Sequence, residues 1–269
     1  MREPLLGCAV GQKGIGKTYV TLQIVKEYVT GFQGKVKPRR VLILDVNDEF
    51  TMVKGIHYRD VKKFCVHPKI EARRLRPYND DGKRMTLREI SDLLMQVLYD
   101  FRGGLLLVED VNKYVSDYMP QDLVGAICTN RHSDTDIILH FQSIGRVTTK
   151  LWQNINYMRF HKNTDSVDRH RKKFEDKYEI MKLTEIMVNQ QYFNGNKRFY
   201  LTVDIDNMKI QGSFNEAMFN KALNEYISTE YNKVVKPYLK QTHLGKKKYN
   251  AEQATVQAKR VIKKMYFRK

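Results

Sequence analysis

Eight consecutive residues, Gly11-Gln12-Lys13-Gly14-Ile15-Gly16-Lys17-Thr18, carry the most specific chemistry in this sequence. Glycines at three of these places let the backbone curl into a nest whose amide hydrogens converge on an anion. The spacing Gly-x4-Gly-Lys-Thr suits a loop that cradles the phosphates of ATP. Lys17 would neutralise the β- and γ-phosphates, and the Thr18 hydroxyl would ligate Mg²⁺. Lys13, inside the loop, is placed either to reach a phosphate or to stay solvated.

A second group of candidates is acidic. The apolar run Leu105-Leu-Leu-Val108 ends in Glu109-Asp110. Two carboxylates at the end of a strand beside the phosphate loop can serve Mg²⁺ and the attacking water. The bland alternative is a core strand running into a polar loop. The usual order in such sites is Asp then Glu; here it is reversed, so Glu109 is read as the Mg²⁺ partner and Asp110 as the base. Gln142 ends another apolar run, Ile137 to Phe141, where its amide can sense the γ-phosphate or the water. Arg131 and Arg146 flank that run and are candidates for an arginine finger. His132 and His140 lack partners at ligand spacing and receive no role.

These residues need a scaffold. Leu5 to Val10, Val41 to Leu44, Leu105 to Val108 and Ile137 to Phe141 are short apolar runs, as buried parallel strands require, and Ile155 to Phe160 makes a fifth. Between them, Val20, Ile24, Val25 and Tyr28 recur at helical spacing, and Thr86-Leu-Arg-Glu89 is a capping box opening a helix that stops at Gly103-Gly104. Pro120 opens a further helix, and Phe64 to Val66 reads as a short strand. Alternation of strand and helix predicts an α/β fold with a doubly wound, mainly parallel sheet. Farther on, Gln190 to Phe193 and Lys197 to Val203 read as a β-hairpin turning at Asn194-Gly195. The expected organisation is an ATPase core over residues 1–215 and a basic helical extension over 216–269.

Composition bears on partners. The 269 residues carry a formal charge of +18, an excess that points to a polyanion such as nucleic acid. Residues 241–269 hold nine Lys/Arg against one Glu. A helix starting at Asn250 places Ala254, Ala258, Val261, Ile262 and Met265 on one stripe, with Lys259, Arg260, Lys263 and Lys264 on the other side. Together with Lys246, Lys247 and Lys248 these bases are expected to meet phosphates. Cys8, Cys65 and Cys128 form no pattern, which suits a reducing setting. No apolar run approaches the roughly 18 residues of a membrane span, and the first strand begins too early to leave room for a signal peptide. A soluble protein is expected.

The arrangement resembles the FtsK–HerA superfamily of P-loop DNA-translocating ATPases, including viral and phage packaging ATPases and the ATPase domain of zonula occludens toxin-like phage proteins. Four features carry the resemblance: the loop at Gly11 to Thr18, Leu44-Asp-Val-Asn-Asp-Glu49 after the second strand, Glu109-Asp110, and Arg131 preceding the strand that ends in Gln142. It covers residues 4 to 165. The swapped acids depart from the pattern, and the large extra domains of cellular translocases are missing. The resemblance implies a RecA-like fold, a pentameric or hexameric ring around double-stranded DNA, Arg131 or Arg146 at the subunit interface, and a portal or capsid partner. It also implies action in the cytoplasm, the host's if the source is viral, or in association with the virion. Competing readings are an assembly or morphogenesis ATPase acting on proteins and a small-molecule kinase, for which no arginine-rich lid is evident.

Overall fold

The computed structural model describes residues 3–32, 36–111, 125–127, 133–243 and 246–267. The chain forms two compact units, Met1–Asp165 and Ser166–Lys269. This division falls earlier than the boundary read from composition at residue 215.

In the first unit the apolar runs become strands β1 (Leu6–Val10), β2 (Arg40–Leu44), β5 (Gly104–Val108), β6 (Thr135–Phe141) and β7 (Tyr157–His161), with two short outer strands, β3 (Gly55–Ile56) and β4 (Ala72–Leu75). Their order across the sheet is β3-β4-β2-β5-β6-β1-β7. Every pairing among them is parallel. β1, β5 and β6 are buried along their whole length, which is why their centres read as apolar runs. The acidic strand β5 was expected beside β1, yet β6 lies between them. Val10 aligns with Phe141, Val108 with Leu139, and Leu44 with Val108. The residues following β1, β2, β5 and β6 therefore emerge together at the carboxyl edge, where open α/β sheets bind ligands.

Helices α1 (Lys17–Thr30) and α3 (Leu87–Asp100) begin and end as their sequences require. The capping box forms: Thr86 accepts from the Glu89 amide and Glu89 accepts from the Thr86 amide. Gly31, in the left-handed region at φ 75°, closes α1. Residues 61–66 depart from expectation. They form helix α2 (Val61–Val66), with Val61 and Phe64 buried at a spacing of three that a helix, not a strand, puts on one face. The start of the helix expected from Pro120 lies outside the described residues, and residues 125–127 are helical.

The second unit contains α4 (Tyr178–Phe193), α5 (Glu216–Thr229), α6 (Ala251–Tyr266) and the antiparallel pair β8 (Tyr200–Asp204) and β9 (Lys209–Gln211). The hairpin thus exists, but not at Asn194-Gly195. Gln190 to Phe193 is the last turn of α4, whose end is marked by Asn194 donating to the Gln190 carbonyl and by Gly195 at φ 96°. The left-handed geometry that makes Asn-Gly a hairpin turn serves equally to stop a helix.

α6 begins at Asn250 with a capping box to Gln253. Its buried stripe is Ala254, Ala258, Ile262 and Tyr266; Met265 is exposed. A spacing of four throughout selects that face, and the aromatic ring of Tyr266 fills it instead of Met265. Tyr226 and Tyr266 hydrogen-bond to Glu179, whose carboxyl is pushed upward in pKa by burial. The basic helix is therefore part of the second unit's core. Among the described residues, no helix is long and apolar enough to cross a membrane.

Candidate functional site

The turn from β1 to α1 is built by its glycines. Gly14 and Gly16 lie at φ 76° and 93°, a region where a side chain is strained, and Gly16 is the residue from which α1 starts. Gly11 is needed for a different reason: a Cβ there would stand 2.6 Å from the Cβ of His161. The loop is tied to its neighbours by the Gly11 amide donating to the Phe141 carbonyl and the Gln12 amide to that of Lys162. Ile15 is buried beneath the loop, and Lys13 is exposed. Lys17 Nζ donates to the carbonyls of Gly11 at 2.6 Å and Gln12 at 3.0 Å. Burial lowers its pKa, opposed by the charges of Asp110, Glu49 and Glu109.

A cavity of about 470 Å³ opens over this loop, lined by Lys17 and Thr18 together with Asn47, Glu49, Asp110 and Gln142, and also by Lys13, Gly14, Gly16 and Glu109. The expected residues of β1, β5 and β6 thus meet in one place. Asp110 Oδ2 accepts hydrogen bonds from Asn47 Nδ2 at 2.7 Å and Gln142 Nε2 at 2.9 Å. Asp110 itself sits at φ 43°, in the left-handed region. Aspartate enters that region more readily than bulkier residues, and such strain clusters at functional sites.

Glu109 is only 3% exposed. Its carboxyl is pushed up to about 8, first by burial and then by the charges of Glu49, Asp45 and Asp110. One of its oxygens lies 3.8 Å from Nδ1 of His140, which is itself buried. His140 Nε2 meets the Thr21 hydroxyl at 2.9 Å. Arg159, 4% exposed, hydrogen-bonds to that hydroxyl and to the Lys17 carbonyl at 3.3 Å. Burial, followed by the nearby charges of Arg159 and Lys17, holds both His140 and His161 neutral, with His161 lowered to about 2. A buried layer from β6 and β7 thus supports the first turn of α1.

Asn47, Glu49, Arg159 and His140 were not assigned roles from sequence. The acids closing β2 were visible as a cluster, but nothing local shows that Glu49 reaches Thr18. Arg159 carries a clearer signal, a lone charge inside an apolar strand. Arg146 is exposed in a turn after β6 and does not line the cavity; Arg131 lies outside the described residues. Of the basic candidates in the second unit, Lys246, Lys247, Lys248, Arg260 and Lys264 are exposed, while Lys259 and Lys263 are half-buried and Lys263 pairs with Glu216.

The sequence matches no protein-family model and no curated protein. Its structure is similar to that of the genome-packaging NTPase B204 from Sulfolobus turreted icosahedral virus 2 in complex with AMP, with 15% identity and a TM-score of 0.53 over 80% of this chain and 99% of that one. It is also similar to B204, the DNA-packaging ATPase from Sulfolobus turreted icosahedral virus, with 13% identity and a TM-score of 0.51 over 78% and 97% of the two chains. The N-terminal domain of zonular occludens toxin from Neisseria meningitidis superposes with a TM-score of 0.36 at 14% identity over 61% and 79%, too loosely to support an argument. In fold, the chain is similar to the viral genome-packaging NTPases.

Proposed function

We propose that this chain is an ATP-hydrolysing nucleic-acid translocase, the motor of phage or mobile-element genome packaging. The observation that carries the reading is the cavity in which the glycine loop, Lys17, Thr18, two acids from the end of β5 and the glutamine from the end of β6 converge. Phosphates fit the loop amides, and Lys17 supplies the cation.

Mg²⁺ fits the oxygen donors present. Among the described residues, no three acids, histidines or cysteines form a metal cage. Mg²⁺ does not require one, since it commonly binds through one or two carboxylates, waters and substrate phosphates. Thr18 and Glu49, whose side chains meet at 2.6 Å, would hold it. When bound it neutralises charge developing on the phosphates.

That assignment releases Glu109 from the metal. A buried carboxyl with a pKa near the working pH is matched to accept a proton from the attacking water. Asp110, anchored by Asn47 and Gln142, then positions that water. On this reading the base role expected of Asp110 passes to Glu109, and the Mg²⁺ role expected of Glu109 passes to Glu49. In the assembled motor, a pentameric or hexameric ring, Arg131 or Arg146 supplies the transition-state cation from the neighbouring subunit. Double-stranded DNA is the track and a portal or capsid protein the docking partner, in the host cytoplasm or on the virion.

The deciding measurement is ATP turnover with and without double-stranded DNA. Stimulation by DNA is expected. Turnover that requires a small-molecule acceptor indicates a kinase; turnover indifferent to DNA but raised by a protein partner indicates an assembly ATPase.

A further inference from the structure

A second cavity, of about 280 Å³, lies at the β3–β4 edge of the first unit and shares no residue with the ATP site. Its walls include His57, Tyr58, Arg74, Arg76 and Tyr78. The Arg76 guanidinium stands 5.0 Å from the Tyr78 ring centroid and that of Arg59 5.6 Å from the Tyr58 ring. The His57 and Tyr58 rings lie 4.4 Å apart. Aromatic faces with guanidinium groups beside them bind a nucleobase by stacking and its phosphate by charge. The surrounding segment, residues 54–88, contains eleven Lys/Arg and four Asp/Glu, so a polyanion is drawn to this edge.

The ion pairs decide which arginines are available. Arg74, largely buried, is held by Asp45 at 3.1 Å and Asp48 at 2.9 Å. Arg76 is half exposed, and its nearest acid, Asp48, is 3.7 Å away. Arg59 pairs with Asp80, but both are well exposed. Exposed pairs contribute little to stability, so a phosphate can compete with Asp80 for Arg59, although Asp80 also meets the Tyr58 hydroxyl at 3.2 Å and His57 Nε2 at 3.2 Å.

We propose that this cavity is a nucleic-acid contact that takes one unpaired nucleotide, its base against the Tyr58 and Tyr78 rings and its phosphate on Arg76 and Arg59. The inference rests on the reading of the chain as a nucleic-acid ATPase and adds a site on the first unit, made of residues other than those of the basic helix. Stacking on the Tyr58 and Tyr78 rings needs a base face free of its neighbours in a helix, so a strand end, bulge or single-stranded stretch is the ligand.

The test uses the full chain and a short single-stranded oligothymidylate bearing one 5-iodouracil. Photocrosslinks mapped by mass spectrometry are expected on Tyr58 or Tyr78. Affinity measured by fluorescence anisotropy is expected to fall roughly tenfold in Tyr78→Ala and in Arg76→Glu, and a duplex of the same length is expected to bind these variants as it binds wild type. A fluorescent ATP analogue checks that each variant is folded. Crosslinks confined to the basic helix, or unchanged oligonucleotide affinity in both folded variants, overturn the site while leaving the ATPase reading intact. A wild-type chain that hydrolyses ATP but binds neither the single-stranded oligonucleotide nor the duplex overturns the site and the nucleic-acid reading together. A wild-type chain that binds the oligonucleotide at Tyr78 without hydrolysing ATP supports the site and removes only the motor.

Discussion

Thr18, in the first turn of α1, donates its hydroxyl to Glu49 at 2.6 Å, joining the phosphate loop to the acidic loop after β2. The pair supplies two hard oxygens beside the glycine nest, the donor type Mg²⁺ prefers. Glu49→Gln is expected to weaken Mg²⁺-dependent ATP binding about tenfold while leaving Mg²⁺-free binding almost unchanged, because removal of one charged ligand acts only when the ion is present. Calorimetric titration with and without Mg²⁺ checks this. Equal weakening in both conditions removes Glu49 from the metal.

Lys17→Ala is expected to abolish turnover, since the transition state is deprived of its resident cation. The same variant tests the ring. Arg131→Ala subunits should also be inactive alone, with turnover down by about 10³ or more. Mixing the two should restore partial ATPase activity, because some junctions then pair an intact Lys17 with an intact Arg131. If mixed rings form and no activity returns, Arg131 does not act across the interface.

The two acids that follow β5 should separate by mutation. Glu109→Gln is expected to lower kcat by a factor of about 10² or more with ATP affinity retained, as removal of a proton acceptor requires. Asp110→Asn keeps the size of the side chain but removes the charge that accepts from Asn47 and Gln142. It is expected to lower kcat less. Single-turnover kinetics compare them directly; a larger drop in Asp110→Asn returns the base to Asp110.

Burial of Glu109 also makes stability depend on pH. Its carboxyl moves from an ordinary 4.5 to about 8 in the folded chain, so the native state holds this proton more tightly than the unfolded chain does. The stabilisation is full below about 4.5 and is lost as pH rises through about 8. Glu109→Gln has no such proton to release. Without nucleotide, the stability of the variant relative to wild type should rise across that window, on the order of 2–4 kcal/mol. Denaturant titrations at several pH values give the slope, and a difference independent of pH excludes a buried, protonated Glu109.

The basic helix calls for charge neutralisation in place of truncation. Removing residues 246–269 would take Ala254, Ala258, Ile262 and Tyr266 out of the second unit's core. Replacing the exposed Lys246, Lys247, Lys248, Arg260 and Lys264 with glutamine leaves that stripe in place. Binding of double-stranded DNA is expected to weaken, and its log–log salt slope to flatten by about 0.9 for each phosphate that is no longer neutralised. An unchanged slope shows that these bases face solvent only.

What the sequence alone determined is local. The loop at Gly11 to Thr18 is legible because its glycines, lysine and threonine act through adjacent backbone. The caps at Thr86 and Asn250 depend only on residues within three positions of each. The central strands of the sheet are legible because burial on both faces leaves a mostly apolar run. Tertiary structure decided the rest. Short apolar segments such as Phe64 to Val66 fit either helix or strand until packing chooses a face, and Asn194-Gly195 fits either of two endings.

The insertion of β6 between β1 and β5 is a matter of crossovers, which no single strand encodes. The same placement brings His140 to Glu109, and pairing of β7 with β1 brings Arg159 to Thr21, 138 positions away. Asn47 and Glu49 find Asp110 and Thr18 only because parallel strands in matched register deliver their ends to one edge. Phosphate chemistry was therefore readable in a contiguous loop, whereas the division of labour among the acids depends on burial, and burial exists only once the sheet is assembled.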